Sequence, residues 1–378
     1  MKVLQLFNNW KWTGPAEYAV NLSSLLSKNG IETVFACGRP PDEARESLVT
    51  IASERGLPPV TDFVLTKHLR LWRNFSDCRG LIKFINEKNF SIIHTHLTNG
   101  HLVGGLAARN SNPRPVVIRT CYETDGGGLR DRFLYNYLTD GIIAAAKMTR
   151  EAITRKCGFP PEKVRFIPAA IDVDRFDPRK SFRNNRDQWK IDPDAPVVGI
   201  VARVQERRRF NIFLEGIAEA VKRLPRLRVM IIGRGTRIKE LAVDPVTKMG
   251  LDKHFIFTGY QKEDYLQTLN CMDMKVFLVP GSDESCRAVR EAMAMGKPVI
   301  VARRGMLPEI VDHNVNGLVI DDTPHNLAQA IIHLVENKEL RETLGRNALK
   351  KAQTEFSLSE QVKKIIALYD NLCRKKRG

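Results

Sequence analysis

Residues 279–300 read VPGSDESCRAVREAMAMGKPVI, and this stretch decides the fold assignment. The apolar run 274–278 just before it predicts a buried strand. Ser285 is a good helix N-cap and Gly296 a good helix stop, so a helix is expected between them. A further apolar run, 298–301, predicts the next strand. Strand, loop, helix and strand in this order are typical of a parallel α/β sheet.

The same alternation extends in both directions from this stretch. Short apolar runs that predict strands lie at 3–7, 31–37, 91–94, 115–118 and 142–145, and again at 197–201, 228–232, 255–257, 274–278 and 298–301. Strands separated by helices pair in parallel, with helices on both faces of the sheet. We therefore expect an α/β protein with two doubly wound, Rossmann-like sheets, in which ligands bind beyond the carboxyl ends of the strands.

A polar, proline-containing segment separates the two series of strands. It spans 172–196 and carries RKSFRNNRDQWK, a composition typical of an interdomain linker. We predict four parts, in chain order an N-terminal domain, a linker, a C-terminal domain and a helix that crosses back to the N-terminal domain and ends in a basic tail. Their bounds are 1–177, 178–196, 197–356 and 357–378.

The composition limits the classes of possible ligand but does not select one of them. A net charge of +17 over 378 residues attracts phosphates, anionic lipid surfaces or nucleic acid. The chain lacks an apolar run of about 18 residues, a signal-peptide pattern and a recognisable nucleic-acid-binding module. The seven cysteines are scattered without a Cys-x-x-Cys pair, so neither a zinc site nor a disulfide framework is expected. We predict a cytoplasmic protein, with the cytoplasmic face of the inner membrane as an alternative location.

The helix predicted after Ser285 carries the first candidate chemistry. Its N-terminus follows the carboxyl end of a strand, where free N–H groups and the helix dipole favour a phosphate. Glu291 lies among apolar residues in this helix, so its carboxylate needs partners. Ribose hydroxyls are suitable partners, and a solvated or salt-bridged helix glutamate is an equally good interpretation from the pattern alone.

A second block, 199–215, again runs strand, loop and helix. Its loop holds Arg203 and Arg208, and arginine offers the paired donors that suit a diphosphate. The alternative is a solvated basic loop.

These two blocks together resemble the retaining GT-B glycosyltransferases of family 4, the glycosyl transferases group 1. Asp283, seven further residues and Glu291 are similar to the family's Glu-x7-Glu motif, and AMAMGKPV is close to its usual continuation. The resemblance implies a GT-B fold, with two Rossmann-like domains facing each other across a cleft. It further implies catalytic roles for Asp283 at the donor sugar, Glu291 at the ribose, and Arg203 and Arg208 at the diphosphate. Arg208 takes the position of a family lysine, and Arg209 that of a glycine.

The resemblance also implies further donor-binding residues. Gly14 keeps the first glycine of a family Gly-Gly pair, whereas Pro15 replaces the second. The full set of implied donor contacts is Gly14, Gly233, Glu284, Ser285, Cys286, Arg287 and Glu309. Asp172 and Asp174 lie in a segment that resembles the family's hinge, and two carboxylates are too few to name a metal. No metal and no cofactor are expected, with the nucleotide-sugar bound as substrate.

The acceptor side departs from the family pattern. The family's active-site histidine follows a Pro-Val-Val strand, and Cys121 stands at that position here. A structural cysteine at a strand end is the favoured interpretation. The residues that remain candidates for the acceptor side are Arg119, Cys121, Tyr122, Glu123 and His96.

The resemblance implies transfer of a sugar, with retention, to a cell-envelope glycan or lipid-linked acceptor in lipopolysaccharide or surface-polysaccharide assembly. A dinucleotide-dependent oxidoreductase is a rival hypothesis, but the first strand–helix turn lacks Gly-x-Gly-x-x-Gly. A GT-B-fold binding or scaffold protein without catalysis is the other, and Cys121 and Pro15 give it weight.

The segment 67–84 mixes basic with apolar and aromatic residues at helical spacing. An amphipathic helix that covers the sheet is the favoured interpretation. The alternative is a helix that lies on an anionic membrane surface, with the basic tail as a second contact.

Overall fold

The structure is a computed structural model, and it describes residues 1–44, 47–122, 128–180, 186–280 and 286–377. The chain divides into two compact units. Within the described residues, the first unit holds 1–170 together with the C-terminal segment 358–377, and the second holds the remaining residues between 171 and 357.

The first unit is a parallel sheet with helices between its strands. Its strands are β1 (Lys2–Phe7), β2 (Glu32–Cys37), β3 (Ile92–Thr95), β4 (Val116–Cys121), β5 (Gly141–Ala144) and β6 (Val164–Phe166). Its helices are α1 (Gly14–Lys28), α2 (Leu48–Glu54), α3 (Leu71–Lys88), α4 (Thr98–Arg109), α5 (Leu129–Leu138) and α6 (Lys147–Cys157). The strand order is β2-β1-β3-β4-β5-β6, so the winding direction reverses between β1 and β3.

The C-terminal helix of the chain completes the core of this first unit. Residues Val362, Ile365, Leu368 and Tyr369 of this helix are buried against Val3, Leu22, Ile92 and Ile118 of the first unit. We number this helix, Leu358–Arg377, α14, because seven helices of the second unit precede it in the chain. The first unit therefore depends on a segment that is distant in sequence.

The second unit repeats the architecture. Its strands are β7 (Val197–Val201), β8 (Arg228–Ile232), β9 (Phe255–Gly259), β10 (Met274–Phe277), β11 (Val299–Ala302) and β12 (Gly317–Ile320). Its helices are α7 (Phe210–Arg223), α8 (Asp244–Lys248), α9 (Tyr265–Asn270), α10 (Arg287–Ala294), α11 (Leu307–Ile310), α12 (Pro324–Glu336) and α13 (Lys338–Glu355). The order β12-β11-β10-β7-β8-β9 places its reversal between β7 and β10.

Two six-stranded parallel sheets confirm the predicted fold class. The strands expected from apolar runs are present, with ends that differ by up to three residues. Two strands escaped the pattern, because β6 has only three residues and β12 begins with a glycine.

The described part of the expected linker packs on the second unit. Arg186 forms a 3.1 Å ion pair with Asp273 and donates a hydrogen bond to the carbonyl of Cys271. Ile191 and Ala195 are buried. Within the described residues, no helix combines the length and the apolar character needed to cross a bilayer.

Candidate functional site

The reversal point of the second sheet brings together several of the predicted donor-side residues. Ligands of doubly wound sheets bind in the crevice beyond the strand ends at such a point. The loop after β7 carries Arg203 and Arg208, and the segment after β10 leads into α10, which carries Arg287 and Glu291. Asp283, Glu284 and Ser285 lie in that segment but outside the described residues.

Two glycines let the end of β8 press directly on the backbone that carries Arg203. A Cβ on Gly233 would overlap the carbonyl oxygen of Ala202, and one on Gly235 would overlap that of Val204. The amide of Val204 donates a 3.2 Å hydrogen bond to the carbonyl of Arg234. The position of the Arg203 loop therefore depends on the absence of side chains at both glycines.

The two predicted diphosphate arginines have different surroundings. Arg203 is exposed, and its side chain has no hydrogen bond or ion pair within the described residues. Arg208 is half-buried, and its Nη1 donates to the carbonyl oxygen of Pro280 at 2.9 Å. Arg208 thus ties the loop after β7 to the segment after β10.

Arg209, at the position of a family glycine, adopts a left-handed conformation with φ of 56°. Only glycine reaches this region without steric cost. The side chain of Arg209 forms a 2.7 Å ion pair with Asp322, which holds it in place.

Helix α10 begins later than the sequence pattern indicates. Its first residue is Arg287, and Cys286 precedes it with φ of 42° and without a side-chain cap. The predicted cap at Ser285 is therefore one residue early. Gly296 follows the helix with φ of 66°, the left-handed conformation typical of a helix stop.

Glu291 is almost completely buried, with 2% of its surface exposed. Its Oε1 accepts a 2.5 Å hydrogen bond from Nε of Arg287, and its Oε2 accepts one of 2.6 Å from the hydroxyl of Tyr265. Burial and the neighbouring Glu291 carboxylate raise the pKa of Tyr265 well above its usual range. The carboxylate therefore pairs with Arg287 of its own helix, and both of its oxygens are hydrogen-bonded within the second unit.

Lys275 is a buried lysine beneath this helix that the sequence reasoning missed. It lies in β10, and its Nζ donates a 3.0 Å hydrogen bond to the carbonyl of Ala288. Burial lowers the pKa of Lys275 to about 7, and Glu291 opposes that shift. The signal available in the sequence was a lysine within the otherwise apolar run MKVFL.

The loop after β11 contacts the segment after β10. Gly305 has φ of 48°, and a Cβ there would lie 2.9 Å from the ring of Pro280. Glu309 follows in the short helix α11, where it is half-buried.

A cavity of about 500 Å³ lies at the carboxyl ends of β3 and β4, and the described residues that line it all belong to the first unit. Four acceptor-side candidates line it, namely His96, Arg119, Cys121 and Tyr122. Glu123 lies outside the described residues. Pro15 also lines the cavity, and Gly14 beside it is the first residue of α1.

The wall of this cavity is basic and rich in hydroxyl groups. The Nη2 of Arg119 donates a 2.8 Å hydrogen bond to Thr98, and the guanidinium lies 5.1 Å from the ring centre of Tyr135. Cys121 is buried, with its Sγ 3.6 Å from the hydroxyl of Tyr135. Cys121 therefore packs as a strand-end residue, while Arg119 brings positive charge to the cavity.

His96 belongs to a buried hydrogen-bond chain. Its Nε2 lies 2.8 Å from Oε1 of Gln5, which only accepts, so Nε2 carries the proton. Burial lowers the pKa of His96 to about 3. Its Nδ1 is therefore unprotonated and accepts the hydroxyl of Tyr122 at 2.9 Å.

The chain continues from Gln5 to the C-terminal helix. The Nε2 of Gln5 donates to the hydroxyl of Tyr369 at 3.0 Å, and that hydroxyl lies 2.6 Å from Nδ1 of His94. The other ring nitrogen of His94 lies 2.7 Å from the hydroxyl of Thr120. Burial, with His96 and His101 nearby, lowers the pKa of His94 well below its usual range.

Sequence reasoning missed Gln5 and Tyr369. The signal for Gln5 was an amide inside the apolar run VLQLF, whereas Tyr369 has no signal, because its partners lie more than 270 residues away.

The described residues contain no group of three or more His, Cys, Asp or Glu side chains that is arranged to hold a metal. Asp172 accepts a 3.0 Å hydrogen bond from the amide of Arg175, so it stabilises a local turn.

Two family models match consecutive parts of the chain. The model described as Glycosyltransferase Family 4 matches residues 12–175, and the model described as Glycosyl transferases group 1 matches residues 181–351.

Curated relatives have similar sequences. The D-inositol 3-phosphate glycosyltransferase of Corynebacterium kroppenstedtii is 24% identical over 298 residues, which cover 75% of this chain and 62% of that protein. The UDP-Gal:alpha-D-GlcNAc-diphosphoundecaprenol alpha-1,3-galactosyltransferase of Escherichia coli is 22% identical over 345 residues, which cover 84% of this chain and 87% of that protein. The match thus spans less than two thirds of the first protein and most of the second.

Among solved structures, HepE of Anabaena in complex with UDP superimposes with a TM-score of 0.82 at 19% identity, covering 98% of this chain and 100% of HepE. At this identity the likeness concerns the fold. It confirms the predicted GT-B class.

Proposed function

The chain belongs to the glycosyl transferases group 1 of glycosyltransferase family 4, a retaining family of nucleotide-sugar-dependent enzymes, and on this premise we propose that it glycosylates a cell-envelope glycan or lipid-linked acceptor. One observation carries the proposal. The loop after β7 and the segment between β10 and α10 both resemble family motifs, and they lie side by side at the reversal point of the second sheet. Arg208 joins them through its hydrogen bond to Pro280.

The donor's diphosphate lies beside the loop after β7 in this proposal. Arg203 is exposed, and backbone carbonyls hold Arg208 at the end of β10, so both arginines place positive charge beside this loop. Preorganised charge of this kind stabilises the negative charge that develops on a leaving diphosphate. Arg287, 42% exposed at the start of α10, supplies a third cation.

Glu291 contacts the ribose of the donor. Its two oxygens each accept one hydrogen bond from protein, and a carboxylate has further lone pairs for the ribose hydroxyls. Asp283 or the adjacent Glu284 orients the sugar. Gly14, Gly233, Ser285, Cys286 and Glu309 complete the proposed donor contacts.

The reaction breaks the bond between the sugar's anomeric carbon and the diphosphate oxygen. The acceptor hydroxyl forms the new bond on the face that the diphosphate leaves, which retains the configuration. The proton of the acceptor passes to the departing phosphate oxygen. Arg203 and Arg208 bear on the leaving group in this step.

We propose that the nucleotide of the donor is a uridine nucleotide. Two observations support it: HepE binds UDP, and the E. coli relative is named for UDP-Gal.

The acceptor occupies the cavity of the first unit. The basic wall formed around Arg119 favours an anionic or phosphate-bearing acceptor, and His96 orients the hydroxyl of Tyr122, whose oxygen can accept a hydrogen bond from an acceptor hydroxyl. The names of the relatives support this class, because one acts on inositol phosphate and the other on a diphospholipid-linked sugar.

The test measures thermal stabilisation by UDP, GDP and ADP, followed by release of nucleotide from the corresponding sugars. A bound ligand raises stability by mass action. We expect UDP to stabilise the protein, and Arg203→Ala and Glu291→Gln to weaken nucleotide binding at least tenfold.

Arg207→Ala is the matched control, because Arg207 is an exposed arginine in the same loop and its side chain donates a 3.2 Å hydrogen bond to its neighbour Gln205. Nucleotide binding that is unchanged in both Arg203→Ala and Glu291→Gln would refute the donor assignment. Stabilisation by GDP or ADP instead of UDP would refute the proposal that the donor carries a uridine nucleotide.

A further inference from the structure

Exposed apolar side chains are concentrated in two segments of the first unit. The structure exposes eleven large apolar side chains among the described residues, and seven of them lie in residues 69–75 and 129–137. We call these seven the apolar rim: Leu69, Leu71, Trp72, Phe75, Leu129, Phe133 and Tyr137. Trp72 is 88% exposed and Leu129 is 86% exposed. Single exposed apolar residues are ordinary, but a cluster of this size marks an interaction surface.

The polarity of the two faces of helix α3 is inverted at its N-terminal end. Farther along, Leu81 and Ile85 are buried in the core, as expected of a helix that covers a sheet. In the first two turns, however, the inward positions are the polar Asn74 and Asp77. Leu71, Trp72 and Phe75 are exposed in the same turns, so a helix that covers the sheet explains only the second half of α3.

The inward polar residues are structural. The two carboxylate oxygens of Asp77 accept 2.8 Å hydrogen bonds from the amides of Val64 and Leu65. The amide of Asn74 donates to Asn99 at 2.7 Å. These bonds hold α3 with its apolar side outward, so the exposure of Trp72 is built into the packing.

The apolar rim is surrounded by positive charge. Six exposed cations lie in or beside its two segments, namely Lys67, Arg70, Arg73, Arg79, Arg130 and Arg132. Within the described residues 67–79 and 128–137, the acidic side chains are Asp77, which is buried, and Asp131, which is mostly buried. An apolar surface ringed by cations is complementary to anionic lipid headgroups over acyl chains.

The apolar rim lies at the mouth of the cavity of the first unit. Lys67 and Leu69, before α3, line the cavity from one side, and Gly128 and Arg130, at the start of α5, line it from the other. The starts of both helices therefore flank the same opening.

We propose that the apolar rim docks on an anionic lipid bilayer, so that the cavity opens at the membrane surface and takes the polar head of a membrane-anchored acceptor. The apolar side chains enter the interface, while the surrounding cations bind lipid phosphates. The acceptor part of this proposal rests on the proposed function, whereas the docking part stands on the surface itself.

The experiment is co-sedimentation of the full-length protein with vesicles of phosphatidylcholine alone or mixed with phosphatidylglycerol. We expect binding to the mixed vesicles, little binding to phosphatidylcholine alone, and loss of binding in high salt. Trp72→Ser/Phe75→Ser should weaken binding at least tenfold. Arg70→Glu/Arg73→Glu should weaken it similarly.

Met249→Ser/Tyr260→Ser is the matched control, because it removes two exposed large apolar side chains from the second unit. The four altered positions of the first unit are exposed, and thermal unfolding verifies that each variant is folded. A blue shift of tryptophan emission on binding, lost in Trp72→Phe, reports insertion directly.

Equal vesicle binding by wild type and Trp72→Ser/Phe75→Ser would overturn the proposal. So would self-association in sedimentation velocity that this double variant abolishes without an effect on vesicle binding, which would make the rim an interface between copies. Release of nucleotide from the donor sugar, measured without vesicles, should be unchanged in the double variant. If the wild type itself releases no nucleotide from any donor sugar, the proposed function is refuted, and the vesicle experiment still tests the docking proposal.

Discussion

Gly233 shows how a single missing side chain positions the donor side. Its φ is 153°, and a Cβ would overlap the carbonyl of Ala202, next to Arg203. We predict that Gly233→Ala costs about 3 kcal/mol in the free energy of unfolding, measured in urea, because backbone must move. Nucleotide binding should weaken as well, since the Arg203 loop is displaced.

Gly250→Ala is the matched control. Gly250 also has a positive φ, 69°, but a Cβ there meets open space. Its cost should be about 1 kcal/mol, the strain of a left-handed alanine alone. Equal costs for both variants would show that close approach at Gly233 is unimportant.

His96 makes the stability of the first unit sensitive to acid. Its pKa of about 3 in the folded protein lies below the usual 6.5, because the ring is buried. The unfolded chain therefore binds a proton below pH 6.5 that the folded protein refuses, and stability present above pH 6.5 is lost as the pH falls. Between pH 6.5 and 5 this histidine should remove about 2 kcal/mol.

Comparison of His96→Gln with the wild type isolates this contribution. In urea unfolding, the variant should lose about 2 kcal/mol less than the wild type on acidification from pH 6.5 to 5. From pH 7.5 to 8.5 the difference between the two proteins should stay constant. An identical acid dependence would contradict a neutral, buried His96.

At the scale of elements, α14 is attached to the first unit by a polar contact as well as an apolar one. In the interior, the hydroxyl of Tyr369 accepts from Gln5 and forms a 2.6 Å hydrogen bond with Nδ1 of His94. We predict that Tyr369→Phe costs about 2 to 4 kcal/mol in unfolding free energy, because two buried polar groups lose their partner.

Tyr137→Phe serves as the control, since Tyr137 is exposed and its ring keeps the contact with Arg109 at 3.7 Å. This change should stay within about 0.5 kcal/mol. A Tyr369→Phe protein as stable as the control would mean that solvent or a rearranged Gln5 replaces the hydroxyl.

The elements themselves were largely predictable, because buried parallel strands are continuous apolar runs. The run 197–201 predicts β7 with its observed ends. Local chemistry also predicts the helix stop at Gly296, where glycine takes a left-handed conformation. The start of α10 was not predictable, because Cys286 replaces a side-chain cap with an unusual backbone conformation.

The candidate sites were less predictable than the elements. Arg203 and Glu291 stand in local motifs, so their segments are identifiable in the sequence. Gln5, Lys275 and Tyr369 act through partners that folding brings together from distant segments. The inverted polarity at the start of α3 was not predictable for the same reason. The Asp77 side chain points inward because the amides of Val64 and Leu65 bind its carboxylate.

At the scale of the whole molecule, the two sheets wind differently. The first reverses between β1 and β3, and the second between β7 and β10. Each reversal point carries its own chemistry, with His96 and Gln5 in the first unit and Arg203 and Arg208 in the second. The proposed function assigns the nucleotide mainly to the second unit, so a nucleotide should stabilise that unit more directly.

The four tryptophans allow this to be measured. Trp10, Trp12 and Trp72 belong to the first unit, and Trp189 belongs to the second. In Trp10→Phe/Trp12→Phe/Trp72→Phe, the remaining Trp189 reports unfolding of the second unit. UDP at about 100 times its dissociation constant should stabilise that transition by about 2.7 kcal/mol.

The second variant to compare is Trp189→Phe. Its remaining tryptophans all lie in the first unit, so its fluorescence reports unfolding of that unit. If the units unfold separately, UDP should shift its transition less than that of the Trp189 reporter. If they unfold as one body, both transitions should shift together, because binding anywhere stabilises the whole. A shift confined to the first-unit reporters would place the nucleotide in the cavity beside Arg119, and would reverse the proposed assignment of donor and acceptor.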